Sequence, residues 1–188
     1  MSREYDQATL QRLQKLELDI LKDFIYVCDK YDLTWFSFAG TAIGALRHGG
    51  FIPWDDDIDL GMLREDFEKF QKCAEGAFPE YVDLQYGISE HGADYLLRIR
   101  DGRTTGIIFD EVDMPGNKGA FIEIYVFDYV NDNWLRKLQI FLSKILCGSM
   151  YNYTHGIHKS AKAKIQNAMV KIISPERMWK WYRKVCML

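Results

Sequence analysis

Four carboxylates within five residues, Asp55, Asp56, Asp57 and Asp59, stand directly behind the apolar stretch Phe51-Ile52-Pro53-Trp54 and enclose Ile58. Like charges at that density beside apolar side chains repel one another, and a cation among them is what keeps them ionised together. If 57–62 is a strand, its period of two sends Asp57 and Asp59 to one face and Ile58 and Leu60 to the other. Two carboxylates on one strand face make a clamp for a divalent metal, since Mg²⁺ takes a few hard oxygens and leaves room for substrate phosphates. The plainer alternatives are a solvated acidic turn or a calcium loop, but an EF-hand needs alternating acids over about twelve residues and a closing Glu, a pattern absent here. Asp55 shares the parity of Asp57 and Asp59 and is the better further ligand; Asp56 does not share it.

Upstream, 38–48 reads as a strand end, a Gly-Thr turn and a short helix. Gly40 allows close backbone approach of a phosphate, Thr41 can cap the helix and offer a hydroxyl, and the first-turn amides favour an anion. Arg47 and His48 close that helix before Gly49-Gly50. They are candidates for donor phosphates or the leaving group, with a helix C-terminus favoured by the dipole as the plainer role.

Strand, Gly-Thr, helix, loop and Asp-x-Asp strand in this order resemble the nucleotidyltransferase superfamily. Within it, Gly40-Thr41-Ala42-Ile43-Gly44-Ala45-Leu46-Arg47-His48 followed by Gly50-Phe51-Ile52-Pro53-Trp54-Asp55-Asp56-Asp57-Ile58-Asp59 resembles the LicD family, over roughly residues 16–130. The resemblance implies an α/β (α+β) fold, a nucleotidyltransferase-like mixed sheet flanked by helices. It implies transfer of phosphocholine, or a phosphorylated sugar alcohol as in the fukutin group, from CDP-choline or another CDP-alcohol, with CMP released. The implied acceptor is a glycan or lipid-linked glycan of teichoic acid, lipopolysaccharide or capsule.

The superfamily also brings a third carboxylate from a later strand. Glu123, the lone acid in the apolar run 119–129, is the candidate, as Mg²⁺ or Mn²⁺ ligand with Asp57, Asp59 and Asp55 or as acceptor of the attacking hydroxyl's proton. Its alternative is a structural acid paired with Arg98 or Arg100, and Asp128 is the reserve. Trp35, Trp54 and Tyr95 are candidates to stack on a base or enclose a quaternary ammonium group, with core packing the plainer fate of Trp35. A nucleotidyltransferase attacking the phosphorus next to the nucleoside is the runner-up. The family pattern continues into a Pro- and Tyr-Gly-containing C-terminal segment for which this sequence has no match, so a nucleotide-binding module without turnover is the alternative from another class.

The 188 residues, 48% hydrophobic and 27% charged, suit a globular chain with a core. Cys28, Cys73, Cys147 and Cys186 form no Cys-x-x-Cys pair and read as reduced thiols, with Cys28 and Cys73 buried and inert in helical patterns. The start has no apolar run of the secretory kind and no segment reaches membrane-spanning length free of charge, so a cytoplasmic place is expected.

The net charge of −3 conceals an asymmetry. From Trp134 onward eleven Lys or Arg face Glu176 alone, while 13 basic and 26 acidic residues precede them. That tail implies an anionic partner. The acidic front part repels a long polyanion and no groove-reading motif is present, so the expectation is peripheral contact with an anionic membrane at its inner face and no nucleic acid.

Apolar positions Leu10, Leu13, Leu16, Ile20, Phe24, Val27 and Tyr31 predict an amphipathic helix over 9–31. Strands are expected at 33–38, 82–88, 95–101, 104–109 and, centrally, 119–129. Arg98 and Arg100 should share a face. A charged helix is expected over 64–78 with Phe67, Phe70 and Ala74 on its inner side, and a loop over 111–118. Helices follow at about 132–147 and 159–173, with a linker at 151–158, and a last helix is capped by Ser174 with Pro175 in its first turn. The expected organisation is a catalytic core over 1–130 and a basic helical extension over 131–188 packed on it as one domain.

Overall fold

The computed structural model describes residues 5–86, 96–106, 116–130, 132, 134–154, 156–157 and 159–187. Among them, those through Phe127 make one compact unit and those from Asp128 onward a second.

Among the described residues the first unit has a five-stranded mixed sheet and three helices. Helix α1 (Gln7–Lys30) starts at Asp6, whose carboxylate accepts the Thr9 amide at 2.9 Å and the Thr9 hydroxyl at 2.7 Å. Its inner stripe is Leu10, Ile20, Phe24, Val27 and Cys28, whereas Tyr31, assigned to that stripe from periodicity, lies past the helix end and is exposed. Strand β1 (Phe36–Ser37) is shorter than the expected 33–38. Leu33 turns into the core and the Thr34 amide is taken by the Asp66 side chain, so no ladder forms before Phe36. Helix α2 (Ala39–His48) follows at once.

Strand β2 (Asp59–Leu63) leads into α3 (Arg64–Cys73), which buries Phe67 and Phe70 completely. It ends short of Phe78 because the chain turns at Gly76, whose φ of +73° suits glycine. Strands β3 (Val82–Tyr86), β4 (Leu96–Asp101) and β5 (Phe121–Phe127) complete the order β1-β2-β5-β4-β3, with β5 in the centre as expected. Among the described residues only β2 and β5 run parallel.

Of the expected strand 104–109, Thr104–Gly106 forms no strand. The Thr104 amide closes a turn on the Asp101 carbonyl at 3.1 Å, and Arg103 clamps the Asp101 carboxylate with its amide and guanidinium. Residues 107–109, most of the 111–118 loop, residues 87–88 of the third expected strand, and Tyr95 lie outside the described residues.

One face of the sheet carries Leu60, Met62, Leu97, Ile99, Ile122 and Ile124, packed with Phe24, Val27, Phe67 and Phe70 from α1 and α3. Trp35 joins this core with its ring edge-on to Phe24 at 5.9 Å, the packing role rather than a cage. The other face has the charges. Arg98 and Arg100 do share it, both over the Phe121 ring at 4.9 and 4.4 Å.

The second unit contains α4 (Leu135–Thr154), α5 (Ala161–Ile173) and α6 (Pro175–Cys186). Helix α4 continues through Tyr151–Thr154, which the sequence assigns to a linker. Its last turn is held because Met150 is buried and Asn152 donates to Gln166 of α5 at 2.8 Å. Ser174 does occupy the cap position of α6 ahead of Pro175, but with φ of +76° its side chain makes no capping bond. The four cysteines are free, and burial pushes the Cys28 thiol up to about 12, which keeps it protonated.

Candidate active site

Helix α2 organises the site through two glycines on one face, four residues apart. At Gly44 an added Cβ would lie 2.4 Å from the Gly50 carbonyl oxygen and 2.8 Å from the Ile52 nitrogen. At Gly40 it would lie 2.6 Å from Oδ2 of Asp55. The chain leaving α2 therefore folds back flat along the helix and delivers the acidic loop to its N-terminal end. What approaches Gly40 is the Asp55 carboxylate, where the sequence reading places a phosphate.

Thr41 does not cap α2; Phe38 holds that position. The Thr41 hydroxyl instead accepts the Asp59 amide at 2.8 Å and fixes the start of β2. Arg47 and His48 lie exposed in the last turn of α2, about 9 Å along the helix axis from Thr41 at 1.5 Å per residue. The residues assigned to donor binding are thus split between the two ends of one helix.

Asp57 precedes the first residue of β2, yet the parity expected of a strand holds, because the Glu123 amide donates to the Ile58 carbonyl at 3.0 Å and continues the parallel pairing. Ile58 and Leu60 are buried. Asp59 stands beside Glu123 in the β2–β5 register, and Glu123 beside Arg98 in the β5–β4 register, so one polar row crosses three strands. Glu123 accepts Nε of Arg98 at 2.7 Å and the Tyr125 hydroxyl at 2.5 Å. The structural reading of Glu123 is seen in its ion pair with Arg98, and the same residue stands next to Asp59. Arg100 donates to Gln85 at 2.6 Å and to the Gly119 carbonyl at 2.9 Å.

The electrostatics follow from this crowding. Burial, then Asp57, Glu123 and Asp55, lift Asp59 to about 6. Asp57 is raised by burial and by Asp55, Asp56 and Glu123; Asp55 by burial and Asp56. Carboxylate oxygens of Asp55, Asp56 and Asp57 lie within 4.8 Å of one another. Trp54 beside them is 76% exposed. Asp128 follows the end of β5, outside the polar row.

Sequence reasoning missed Glu17 of α1. Only 2% exposed, it is raised to about 9 by burial first and then by Asp57, Asp56 and Asp55. Oε2 of Glu17 and Oδ2 of Asp55 are buried without a hydrogen-bond partner. The available signal was an acid at a position of the apolar stripe, four residues after Leu13 and three before Ile20. The donor set fits Mg²⁺ or Mn²⁺. It is made of hard carboxylate oxygens, two of them buried and lacking a donor, in a cluster whose shifts arise from burial and like charge.

Residues 32–171 match the family described as LicD/FKTN/FKRP, nucleotidyltransferase domain. The match starts after α1 and reaches into α5, a different span from the 16–130 of the motif reading. Lipopolysaccharide cholinephosphotransferase LicD of Haemophilus influenzae is 34% identical over 127 residues, 66% of this chain and 46% of that protein. An uncharacterized protein of Rickettsia typhi is 35% identical over 78 residues, 42% of this chain and 24% of its own. Ribitol 5-phosphate transferase FKRP of Homo sapiens is 59% identical over 27 residues, 14% of this chain and 6% of its own. The chain spans less than half the length of each of these relatives.

Proposed function

Because the chain belongs to the LicD/FKTN/FKRP family through its nucleotidyltransferase domain, we propose that it moves phosphocholine or a similar phospho-alcohol from a CDP-linked donor to a hydroxyl of a cell-surface glycan. One relative is named for cholinephosphate and another for ribitol 5-phosphate, and an alcohol carried on phosphate is what those names share. The observation that carries the reading is Asp59 beside Glu123 in the β2–β5 register, with Asp57 and Asp55 just before it and a buried Asp55 oxygen that no protein donor satisfies.

Asp57, Asp59, Glu123 and Asp55 would hold Mg²⁺ or Mn²⁺, which when bound neutralises a diphosphate and its departing oxygen. The protein's own contribution is placement. Thr41 fixes the Asp59 backbone, the parallel pairing sets Asp59 against Glu123, and Arg98 and Tyr125 hold the Glu123 carboxylate in one orientation. In the proposed step the acceptor oxygen bonds to the distal phosphorus, its proton passes to Glu123 or to solvent water, and the bond to CMP breaks with the electron pair leaving on CMP.

Incubation with Mg²⁺ and a panel of CDP-alcohols, followed by phosphorus NMR, is expected to yield CMP and no pyrophosphate. Pyrophosphate released from a nucleoside triphosphate while every CDP-alcohol stays intact would replace this reading with a nucleotidyltransferase. Nucleotide binding without CMP would leave a binding module.

For a partner, the basic unit favours an anionic membrane surface. Arg177, Lys180, Arg183 and Lys184 surround Trp181 and Met187 at a groove of about 310 Å³ on α6, and Trp181 is 47% exposed. No helix among the described residues is long and apolar enough to cross a membrane. Each engaged cation contributes about 1 kcal/mol, so four suffice for reversible attachment next to lipid-linked acceptors at the cytoplasmic leaflet. Co-sedimentation with anionic vesicles is expected at low salt, with loss at high salt or in the triple variant Lys171→Glu, Lys180→Glu, Lys184→Glu. Indifference to both would leave these residues as a solvated face.

A further inference from the structure

Glu17 lies before the first residue of the family match, on a helix that the carboxylate motif does not include. Three observations place it at the acidic loop. Gln14, one turn earlier on the same helix, donates from Nε2 to the Asp55 carbonyl at 2.8 Å across 41 residues of sequence, which presses this face of α1 on the loop. Glu17 is 2% exposed although it is a carboxylate, and its Oε2 is buried without a partner. Its strongest charged neighbours are Asp57, Asp56 and Asp55. An acid buried at such a place is costly to a fold unless a cation answers it.

We propose that Glu17 completes a second divalent-cation site with Asp55, Asp56 and Asp57, on the α1 side of the loop and apart from the Asp59–Glu123 side. Asp55 and Asp57 stand between the two. The class of ligand follows from the donors: three carboxylates whose oxygens already lie within 4.8 Å of one another and a fourth buried beside them supply only hard oxygen, suited to Mg²⁺, Mn²⁺ or Ca²⁺. Helix α1 thereby becomes part of the site, and Glu17 and Gln14 hold the loop at two points.

This inference rests on reading the acidic loop as metal-binding, and the test separates the two. Mn²⁺ is titrated into the full chain and free Mn²⁺ is counted by electron paramagnetic resonance. The wild type is expected to bind two Mn²⁺ per chain. Glu17→Gln, and independently the exposed Asp56→Asn, should weaken one of them at least tenfold and leave the other. Asp59→Asn should weaken the opposite one. Asp19→Asn, which removes a charge from the exposed side of α1, should leave both in place. Circular dichroism melts confirm folding, and if Glu17→Gln does not fold, Asp56→Asn decides. A single Mn²⁺ site indifferent to Glu17→Gln and Asp56→Asn overturns the inference while leaving the proposed function standing. Absence of Mn²⁺ binding in the wild type overturns both.

Discussion

Asp59→Asn is expected to lower CMP release about a thousandfold or more while leaving the protein folded, since metal-assisted charge stabilisation supplies several kcal/mol and each 1.4 kcal/mol is tenfold in rate. Asp59 is the carboxylate whose placement is most heavily determined. Its amide is held by Thr41, its register by β5, and Glu123 stands beside it. Asn keeps that shape and the backbone bond, and removes the charge.

The same substitution relieves repulsion. With its carboxyl lifted to about 6 from an ordinary 3.8, wild-type Asp59 binds its proton more tightly when folded than when unfolded. In chelator its contribution to stability therefore falls as pH rises through that window. The thermal midpoint of Asp59→Asn in EDTA at pH 8 should be equal to or above that of the wild type. Turnover within tenfold of wild type at saturating Mg²⁺ would remove Asp59 from the reaction. A large drop in melting temperature would show that its role is structural.

Glu17→Gln is expected to stabilise the metal-free protein by about 3 kcal/mol at pH 7, because the proton that the fold holds up to about 9 is lost from the unfolded chain near 4.5. The folded state binds more protons throughout that interval, so the wild type loses stability with rising pH at up to about 1.4 kcal/mol per unit. The loss is absent below 4.5 and complete above 9. Glutamine matches the neutral acid in size and carries no charge at any pH. Urea denaturation in EDTA at pH 5, 6.5 and 8 should show the gap between variant and wild type widening at each step. A constant gap would mean that Glu17 is ionised in the folded protein and has a cationic partner.

The acidic motif could be read before any fold was known because its information is local. Alternation puts Asp57 and Asp59 opposite Ile58 and Leu60 whatever the sheet around them, and an apolar period of 3.6 marks the buried side of α1 from Leu10 to Val27. The central place of β5 was legible for the same reason, as a run with too few polar residues for an exposed strand. Errors came where a side chain took a backbone group away from the expected pattern: Asp66 on the Thr34 amide shortened β1, and Arg103 with Asp101 turned the chain at 101–104.

By itself, then, the sequence determined the family, the mixed α/β fold, the face on which the paired aspartates lie and the separation of an acidic front from a basic tail. Tertiary structure alone decided that Thr41 serves Asp59 instead of capping its helix, that Glu123 has Arg98 as its ion partner, and that Glu17 lies at the acidic loop. Each of those is a contact over 18 or more residues of sequence, set by strand register or by one helix lying on a loop. Periodicity assigns a residue to a face, and only the packing of faces determines which charges must share a space.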